Sequence, residues 1–424
     1  MIKVAILGLG NVGTSVLNII RENQDIIYQK IGENLDLVGA LVKDRSKHLN
    51  KGIYLASSFE EILALKPDII VELIGSVHPA LEYIVKSLES NIPVVTANKE
   101  VLAKHPDKIF TLADRKRVPI YFEAAVGGGI PIVRPLKVCL AANRIKEIVG
   151  ILNGTTNYIL TKLDEGFEFE SALKEAQQKG YAETNPESDL SGMDALYKIA
   201  ILSSVSFGKL VDINELTSEG IQKISLKDVL YARELGYKIK LIARSCVKDD
   251  KNDKYDIRVY PMLLPFSHPL ASVNDNMNSI LVKGDFVGSV MFYGQGAGGN
   301  PTASAVASDI MDISWHIINS HTHRLSGNIK SKAKILKQDE LFSRFYLRAI
   351  VDDSPGVLAK IAKVLADHNV SIKSMVQKTS EKGLAELVFI VHQCNEQDFY
   401  MAIEDLKLVD SVKNIALTLR VYED

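Results

Sequence analysis

An apolar run near the start of the chain leads into a glycine-rich turn, which restricts the fold more than any other feature. Lys3 to Leu7 precedes Gly8-Leu9-Gly10-Asn11-Val12-Gly13, and apolar residues then recur at helical spacing. In a G-x-G-x-x-G turn the glycines permit a tight bend, the approach of a pyrophosphate to backbone N–H groups, and close helix packing. The pattern predicts a dinucleotide site at Gly8, Gly10, Asn11, Val12 and Gly13; the alternative is a glycine turn without a ligand.

More strands are predicted in the next hundred residues, with helical patterns between them. They are Leu35–Val42, Ile69–Leu73, Pro93–Thr96 and Ile120–Glu123. This alternation favours a parallel, doubly wound sheet, in which ligands lie beyond the carboxyl ends of the strands. The pocket-lining candidates at those ends are Gly75, Ser76, Thr96, Asn98 and Lys99.

The residues after the second strand bear on the choice of nicotinamide cofactor. An acid there holds the ribose 2′-OH of NAD, whereas a cation accommodates the 2′-phosphate of NADP. Lys43-Asp44-Arg45 supplies both, and two cations around one acid favour NADP. A solvated charged turn is the alternative.

A second stretch, Gly180 to Lys198, concentrates carboxylates before a helix. In that helix Asp194 and Lys198 are separated by four residues and lie at the edge of the apolar face, so the lysine should be partly desolvated yet reachable. The spacing alone favours an ordinary helix ion pair over a catalytic pair.

Composition excludes several classes of protein. The 424 residues include 50 basic and 52 acidic side chains, giving a net charge of −2 and no field to attract nucleic acid or an anionic membrane. No segment has the apolar length of a membrane span. Cys139, Cys246 and Cys394 are far apart and without metal-ligand spacing, which is typical of a reduced cytoplasmic protein.

Six blocks together resemble homoserine dehydrogenases of the monofunctional type with a C-terminal ACT regulatory domain. They are G-L-G-N-V-G (8–13), V-T-A-N-K (95–99), E-A-A-V-G-G-G-I-P-I (123–132), I-L-N-G-T-T-N-Y-I-L (151–160), the whole 180–198 stretch, and G-Q-G-A-G-G-N-P-T-A-S-A-V (294–306). Ser188-Asp189 departs from the pattern, because family members often have two aspartates there.

The resemblance implies an α/β protein with three parts and assigns their boundaries. The protein would begin with a Rossmann-like dinucleotide-binding domain (1–130, completed by a helix at 301–318). An α+β substrate and dimerisation domain (131–300) would follow, and a linker (319–340) would lead to a ferredoxin-like ACT domain (341–424). The implied reaction is the NAD(P)-dependent interconversion of L-homoserine and L-aspartate 4-semialdehyde by a homodimer or homotetramer.

The resemblance also assigns roles to individual residues. Lys198 would be the acid and base, which a lysine can be if burial and neighbouring cations lower its pKa, and Lys99 would be a second cation near substrate and nicotinamide. The substrate residues would be Gly180, Tyr181, Glu183, Asp189 and Asp194, and Gly296 would approach the nicotinamide. Backbone carbonyls of Glu123, Val126, Gly128 and Ile130 would bind Na⁺ or K⁺; a glycine-rich hinge is the alternative.

The C-terminal residues alternate as strand, helix, strand, strand, helix, strand, the ferredoxin-like order. By resemblance to ACT domains, L-threonine would lie between a first segment (Pro355, Gly356, Val357, Leu358) and a second segment starting at Asn369 and reaching Ile372. A structural dimerisation module is the alternative.

The pair His321 and His323 precedes this module. No Cys, Asp or Glu lies at ligand spacing from them, so the sequence does not favour a metal site there.

Two other functions are compatible with parts of the pattern. The Glu-Lys-Pro motif of sugar-oxidising Rossmann dehydrogenases is replaced here by Asn98-Lys99-Glu100. A non-enzymatic sensor of cofactor and amino acid would need an output surface, and the sequence has neither a helix-turn-helix pattern nor a basic stripe.

Overall fold

A computed structural model describes residues 1–249, 253–319, 329, 331–379 and 383–423. The strands are β1 (Ile2–Leu7), β2 (Leu35–Leu41), β3 (Leu55–Ala56), β4 (Ile69–Glu72), β5 (Val94–Thr96), β6 (Ile120–Tyr121), β7 (Ile145–Ile151), β8 (Lys209–Leu210), β9 (Thr217–Ser218), β10 (Tyr237–Asp249), β11 (Lys254–Pro265), β12 (Met277–Gly284), β13 (Gly288–Gln295), β14 (Ser331–Lys332), β15 (Lys334–Ile335), β16 (Phe342–Asp352), β17 (Ile372–Thr379), β18 (Leu384–Val391), β19 (Cys394–Asn395) and β20 (Val412–Val421). The α-helices are α1 (Asn11–Glu22), α2 (Gln24–Ile31), α3 (Phe59–Ala64), α4 (Ala80–Glu89), α5 (Lys99–Lys104), α6 (Pro106–Lys116), α7 (Gly154–Asp164), α8 (Phe169–Gln178), α9 (Glu187–Leu190), α10 (Met193–Phe207), α11 (Leu226–Glu234), α12 (Gly299–Ile318), α13 (Val357–Asp367) and α14 (Glu396–Lys407).

The chain forms two compact units, and the first contains the predicted dinucleotide-binding sheet. This unit comprises residues 1–154, 194–216 and 277–333. Its six-stranded sheet has the order β3-β2-β1-β4-β5-β6, and every pairing in it is parallel. The strand order reverses at β1, between β2 and β4, which is where such sheets bind ligands. The prediction of a Rossmann-like sheet is confirmed.

Both faces of that sheet are covered by helices. Val4 and Ile6 of β1 pack on one face against α1 and α12, whereas Ala5 and Leu7 on the other face pack with Phe59 and Ile62 of α3. Because successive side chains of a strand point to opposite faces, a strand buried on both sides is apolar throughout. Helix α12 thus packs in the same core as β1 and α1.

The first unit also holds an antiparallel group of three strands and most of α10. β12 pairs with β7 on one side and with β13 on the other. The hairpin of β12 and β13 turns after Gly284. Helix α10 has no exposed residue between Met193 and Phe207. The expectation that Asp194 and Lys198 lie at the edge of a buried face is therefore wrong, because the whole helix is enclosed.

The second unit comprises residues 155–193, 217–276 and 334–424 and contains the ACT-type module. In this module β16 lies between β20 and β18, and β17 pairs with β18, all antiparallel. Helices α13 and α14 pack on the sheet through a core that includes Phe345, Phe389 and Phe399. The ferredoxin-like prediction is confirmed. The last strand, β20, also pairs in parallel with β11, so the module shares a sheet with the hairpin β10–β11.

Several predictions differ from the structure or fall outside it. Helix α12 begins at Gly299, two residues before Pro301. Helices α2 and α9 and the two-residue strands other than β6 were not predicted. The histidine pair and most of the linker lie outside the described residues. Within the described residues no cluster of three or more His, Cys, Asp or Glu side chains is arranged to bind a metal, and no helix has the length and apolarity to cross a membrane.

Candidate active site

The centre of the candidate site is Asp194, whose carboxylate bridges two lysines. Lys198 donates from Nζ to Asp194 Oδ2 at 2.7 Å and to the Leu152 carbonyl oxygen at 2.6 Å. Lys99 forms an ion pair with the other oxygen, Oδ1. Asn153 Nδ2 donates to Oδ2 at 2.8 Å. Side chains from three distant segments of the first unit therefore converge on one carboxylate.

Burial distinguishes this cluster from an ordinary helix ion pair. The side chains of Asp194 and Lys198 are 7% and 8% exposed, whereas that of Lys99 is 40% exposed. Burial by itself favours the neutral acid, yet the ammonium groups of Lys198 and Lys99 hold the pKa of Asp194 well below its ordinary value. The aspartate is therefore ionised, and Lys99 gives the cluster an accessible side.

Local structure places Lys99 at the first position of α5. Asn98 precedes that helix and caps it, because its Oδ1 accepts from the Val101 N–H at 3.1 Å. The Asn98 Nδ2 donates to the carbonyl oxygens of Ile74 and Ser76 at 2.8 and 2.9 Å. These hydrogen bonds link the loops after β4 and β5. The cap also fixes where α5 begins, with Lys99 as its first residue. Asn98 and Thr96, predicted to line the cofactor pocket, are buried at this junction.

A buried acid at the same junction was missed from the sequence. Glu72, the last residue of β4, is fully buried and accepts hydrogen bonds from Thr96 Oγ1 and the Ile74 N–H, both at 2.6 Å. Burial raises the pKa of Glu72 to about 7, although these hydrogen bonds oppose the shift. A sequence signal for this acid was available, because Glu72 is a single acidic residue at the carboxyl end of an apolar strand.

The glycine turn between β1 and α1 has the geometry that a dinucleotide needs. Gly8 has φ +102°, and a Cβ at Gly13 would lie 2.1 Å from the Gly8 carbonyl oxygen. A Cβ at Gly10 would meet no described atom within 4 Å. Gly10 is the N-cap of α1 and has no side chain to accept from the first N–H groups of that helix, which are the groups that a pyrophosphate would use.

The charged residues after β2 are engaged with protein partners. Asp44 accepts from the backbone N–H and hydroxyl of Ser46 at 3.0 and 2.6 Å, at the start of a 3₁₀ turn. Arg45 forms an ion pair with Glu61 at 2.7 Å. Lys43 is exposed, as are Gly75 and Ser76 in the loop after β4.

The predicted cation loop is closely packed and anchored by its own acid. The carboxylate of Glu123 accepts from the N–H groups of Ile132, Val133 and Arg134 at 2.5–2.8 Å. Its backbone N–H donates to Asp309 of α12 at 2.9 Å. The other residues assigned to the loop are Val126, Gly128 and Ile130, and a Cβ at Gly128 would lie 2.6 Å from the backbone of Gly296. Close backbone packing thus accounts for the glycine at position 128, whether or not an ion binds to the loop.

The other predicted substrate residues lie in the second unit, in the segment after α8. Gly180 has φ +73° and follows the end of that helix. The Tyr181 carbonyl oxygen accepts from Thr155 Oγ1 at 2.6 Å, and its ring lies edge-on to Tyr158. Glu183 is exposed, and Asp189 is half-buried in α9. The turn is therefore held by α7 and α8 while Glu183 stays accessible.

The predicted effector segments lie at opposite ends of α13. Pro355, Gly356, Val357 and Leu358 surround its first turn, and Asn369, with φ +59°, follows its last turn and leads to Ile372. An eleven-residue helix is about 16 Å long. Within one copy of the module the helix therefore separates the two segments, and the effector site stays a prediction.

Comparisons with known proteins identify the family. Residues 8–123 match the homoserine dehydrogenase NAD-binding domain, 131–311 the homoserine dehydrogenase domain and 345–407 the ACT domain. Homoserine dehydrogenase of Synechocystis sp. is 39% identical over 99% of both chains, and that of Bacillus subtilis is 36% identical over 99% of this chain and 98% of the relative. The chain belongs to the homoserine dehydrogenase family. It is therefore an oxidoreductase with a nicotinamide-nucleotide-binding domain.

Solved homoserine dehydrogenases share the fold. The enzyme from Thiobacillus denitrificans has a TM-score of 0.94 at 37% identity and covers 100% of this chain and 98% of its own. A hyperthermophilic archaeal homoserine dehydrogenase mutant in complex with NADPH has a TM-score of 0.62 at 30% identity and covers 73% of this chain and 97% of its own.

Proposed function

We propose that the protein catalyses the reversible NAD(P)-dependent interconversion of L-homoserine and L-aspartate 4-semialdehyde. The observation that carries the proposal is the bridge of Asp194 between Lys99 and Lys198 in the unit that contains the dinucleotide-binding sheet. Such a cluster of charges, buried on one side and accessible on the other, suits a site that must move a proton.

The residues supply the proton chemistry. A nicotinamide dinucleotide, held at the turn of Gly8, Gly10 and Gly13, would supply hydride transfer to and from the carbinol carbon of homoserine. Lys198 takes the hydroxyl proton in oxidation and gives it back to the carbonyl oxygen in reduction. With both lysines protonated, the cluster of Lys99, Lys198 and Asp194 holds one surplus positive charge, which stabilises negative charge developing on that oxygen.

We propose that Asp194 has a second role beside the substrate binding that the resemblance implies. Its carboxylate holds both lysines in place, Lys99 at Oδ1 and Lys198 at Oδ2, where Asn153 also donates. A carboxylate oxygen can accept more than one hydrogen bond, so Oδ1 could accept from the substrate while it pairs with Lys99. Glu183 and Asp189 are the other substrate carboxylates that the resemblance implies.

The cofactor and cation assignments stay proposals. The exposed Lys43 and the neighbouring Arg45 favour NADP over NAD, with the 2′-phosphate meeting their charge. The carbonyl groups of the loop at Glu123, Val126, Gly128 and Ile130 would hold Na⁺ or K⁺.

We also propose that L-threonine regulates the enzyme through the ACT module. The first-turn N–H groups of α13 suit a carboxylate, and the Asn369 amide suits the polar groups of an amino acid. Because α13 separates the two segments, an effector that contacts both must lie between two copies of the chain. A homodimer or homotetramer would provide that arrangement.

The test is turnover of L-homoserine by purified protein, followed by the absorbance of reduced nicotinamide with NADP⁺ and with NAD⁺, in the presence and absence of L-threonine. Lys198→Ala should lower kcat by about 100-fold or more, because it removes the acid and base. Its dissociation constant for cofactor should stay within about twofold, since the predicted cofactor contacts do not include Lys198.

Lys104→Ala is the matched control, because Lys104 forms an i,i+4 pair with Glu100 at 2.5 Å on α5 but is 40% exposed. Near-normal turnover by Lys198→Ala, or an equal loss in the control, would contradict the acid and base role. Absence of turnover by the unaltered protein would refute the proposed reaction.

A further inference from the structure

Glu61 does not belong to the catalytic cluster. Its carboxylate accepts hydrogen bonds from several polar groups around the segment after β2. It lies in the first turn of α3. Its Oε2 accepts from Arg45 Nη2 at 2.7 Å and from Tyr54 OH at 3.1 Å, while its Oε1 accepts from Ser57 Oγ at 2.8 Å. The carboxylate is therefore held in place, and its side chain is 33% exposed.

Arg45 occupies the place where a doubly wound sheet distinguishes the two nicotinamide dinucleotides. β2 pairs directly with β1, the strand that leads into the glycine turn. A cation after β2 accommodates a 2′-phosphate, and an acid there holds a 2′-OH. Here the cation faces Glu61, so its charge is balanced before any cofactor arrives.

We propose that Glu61 is a specificity-determining residue that weakens the preference for NADP by pairing with Arg45. A 2′-phosphate must draw the guanidinium away from Glu61 and come close to a second negative charge. The 2′-OH of NAD is neutral and meets neither cost. The inference rests on the proposed function in one respect, namely that the turn after β1 binds these cofactors.

The size of the effect follows from the exposure of the pair. Arg45 and Glu61 are 47% and 33% exposed, so solvent screens their attraction. Releasing Arg45 should therefore tighten NADPH binding by about fivefold rather than by orders of magnitude.

The experiment is a fluorescence titration of the full-length protein with NADPH and with NADH, which measures dissociation constants without turnover. Glu61→Gln removes the charge but keeps an acceptor for the neighbouring hydroxyls and suits the third helical position behind the Ser58 cap. The matched control is Glu60→Gln, because Glu60 lies in the same turn and pairs with Lys86 at 2.6 Å.

Glu61→Gln should lower the dissociation constant of NADPH by about fivefold and leave that of NADH within about twofold, while Glu60→Gln changes neither. Adding Arg45→Ala to Glu61→Gln should abolish the gain. The inference is overturned if both cofactors respond equally, if Glu60→Gln has the same effect, or if the gain persists without Arg45. Failure of the proposed function would look different, since the unaltered protein would then not turn over L-homoserine, whatever its affinity for the two nucleotides. If the unaltered protein binds neither nucleotide, this inference is overturned as well.

Discussion

At the scale of single residues, identical spacing leads to different chemistry. Asp194 and Lys198 are separated by four residues on a helix, as are Glu100 and Lys104. The second pair is partly exposed and is worth at most about 1 kcal/mol. The first is enclosed and shares its carboxylate with Lys99. Burial and the second lysine, not the spacing, make it a candidate catalytic centre.

Glu72 offers a test of the electrostatics at the junction of the β4 and β5 loops. Its folded-state pKa of about 7 lies above the ordinary value of 4.5. Between these pH values the folded protein retains a proton that the unfolded chain has released, so the stability contributed by Glu72 falls as pH rises through this window. Glu72→Gln cannot titrate.

We therefore expect the melting temperature of the wild type, relative to that of Glu72→Gln, to decrease as pH rises from 4.5 to about 7 and to level off above it. Paired thermal unfolding curves across this range provide the measurement. Parallel pH profiles for the two proteins would show that Glu72 ionises in the folded state as it does in the unfolded chain.

At the scale of elements, two glycines of the turn after β1 serve different purposes. We expect one to be needed for packing and the other for binding a dinucleotide. Gly13 must lack a side chain because α1 lies against Gly8, whereas Gly10 has open space beside it. The sequence spacing alone cannot distinguish these reasons. It also cannot exclude a turn without a ligand.

Two alanine substitutions should separate the two requirements. Gly13→Ala places a methyl group 2.1 Å from a carbonyl oxygen and should destabilise the protein by about 3 kcal/mol even without cofactor. Gly10→Ala should cost about 1 kcal/mol or less, as a change at an N-cap, yet weaken NAD(P)H binding by about tenfold because it obstructs the pyrophosphate.

Thermal unfolding and cofactor titration of both variants provide the measurements. Unchanged cofactor affinity in Gly10→Ala would favour the alternative of a purely structural turn.

Long, regular elements were predictable because their signals are local. The predicted strands Leu35–Val42 and Ile69–Leu73 each extend one residue beyond the ends of β2 and β4. The two-residue strands other than β6 were missed because such short segments carry no periodic signal. The direction in which α10 is buried was also missed, since neighbouring elements, not the helix itself, determine it.

At the scale of the whole molecule, buried charges join the ACT module to the rest of the second unit. Arg348 of β16 binds both oxygens of Asp228 at 2.7 and 3.1 Å, and Asp228 also closes a capping box at the start of α11. A second network surrounds Glu396, which accepts from Arg258 of β11 and Arg420 of β20. These arginines hold the pKa of Glu396 at about 2 despite its burial.

These networks make removal of the module a poor test of regulation. Truncation before Leu341 would remove Arg348 from Asp228 and Glu396 from Arg258, and would expose the surface that the module covers. Loss of activity in such a fragment would therefore not distinguish a role in catalysis from a role in folding, and substitutions at Gly356 or Asn369 would test the effector site better.

Arg348→Met should destabilise the protein by about 3–5 kcal/mol, because it leaves the fully buried carboxylate of Asp228 without the guanidinium that pairs with it. Lys227→Met is the matched control, since Lys227 pairs with the same Glu386 at 2.6 Å but is 54% exposed and should cost at most about 1 kcal/mol. Urea unfolding of both variants provides the comparison. Equal, small losses would show that the module is not held by these buried charges.

The sequence by itself determined the order of elements, the place of the glycine turn, the ferredoxin-like module and the identity of the main charged candidates. Each of these depends on residues close together in the chain, whose spacing reflects strand or helix geometry. Tertiary structure alone decided that Lys99 meets Asp194, that Glu72 is buried, and that Glu61 faces Arg45. These contacts join residues 16 or more positions apart, or depend on what encloses a side chain, and packing rather than local pattern sets both.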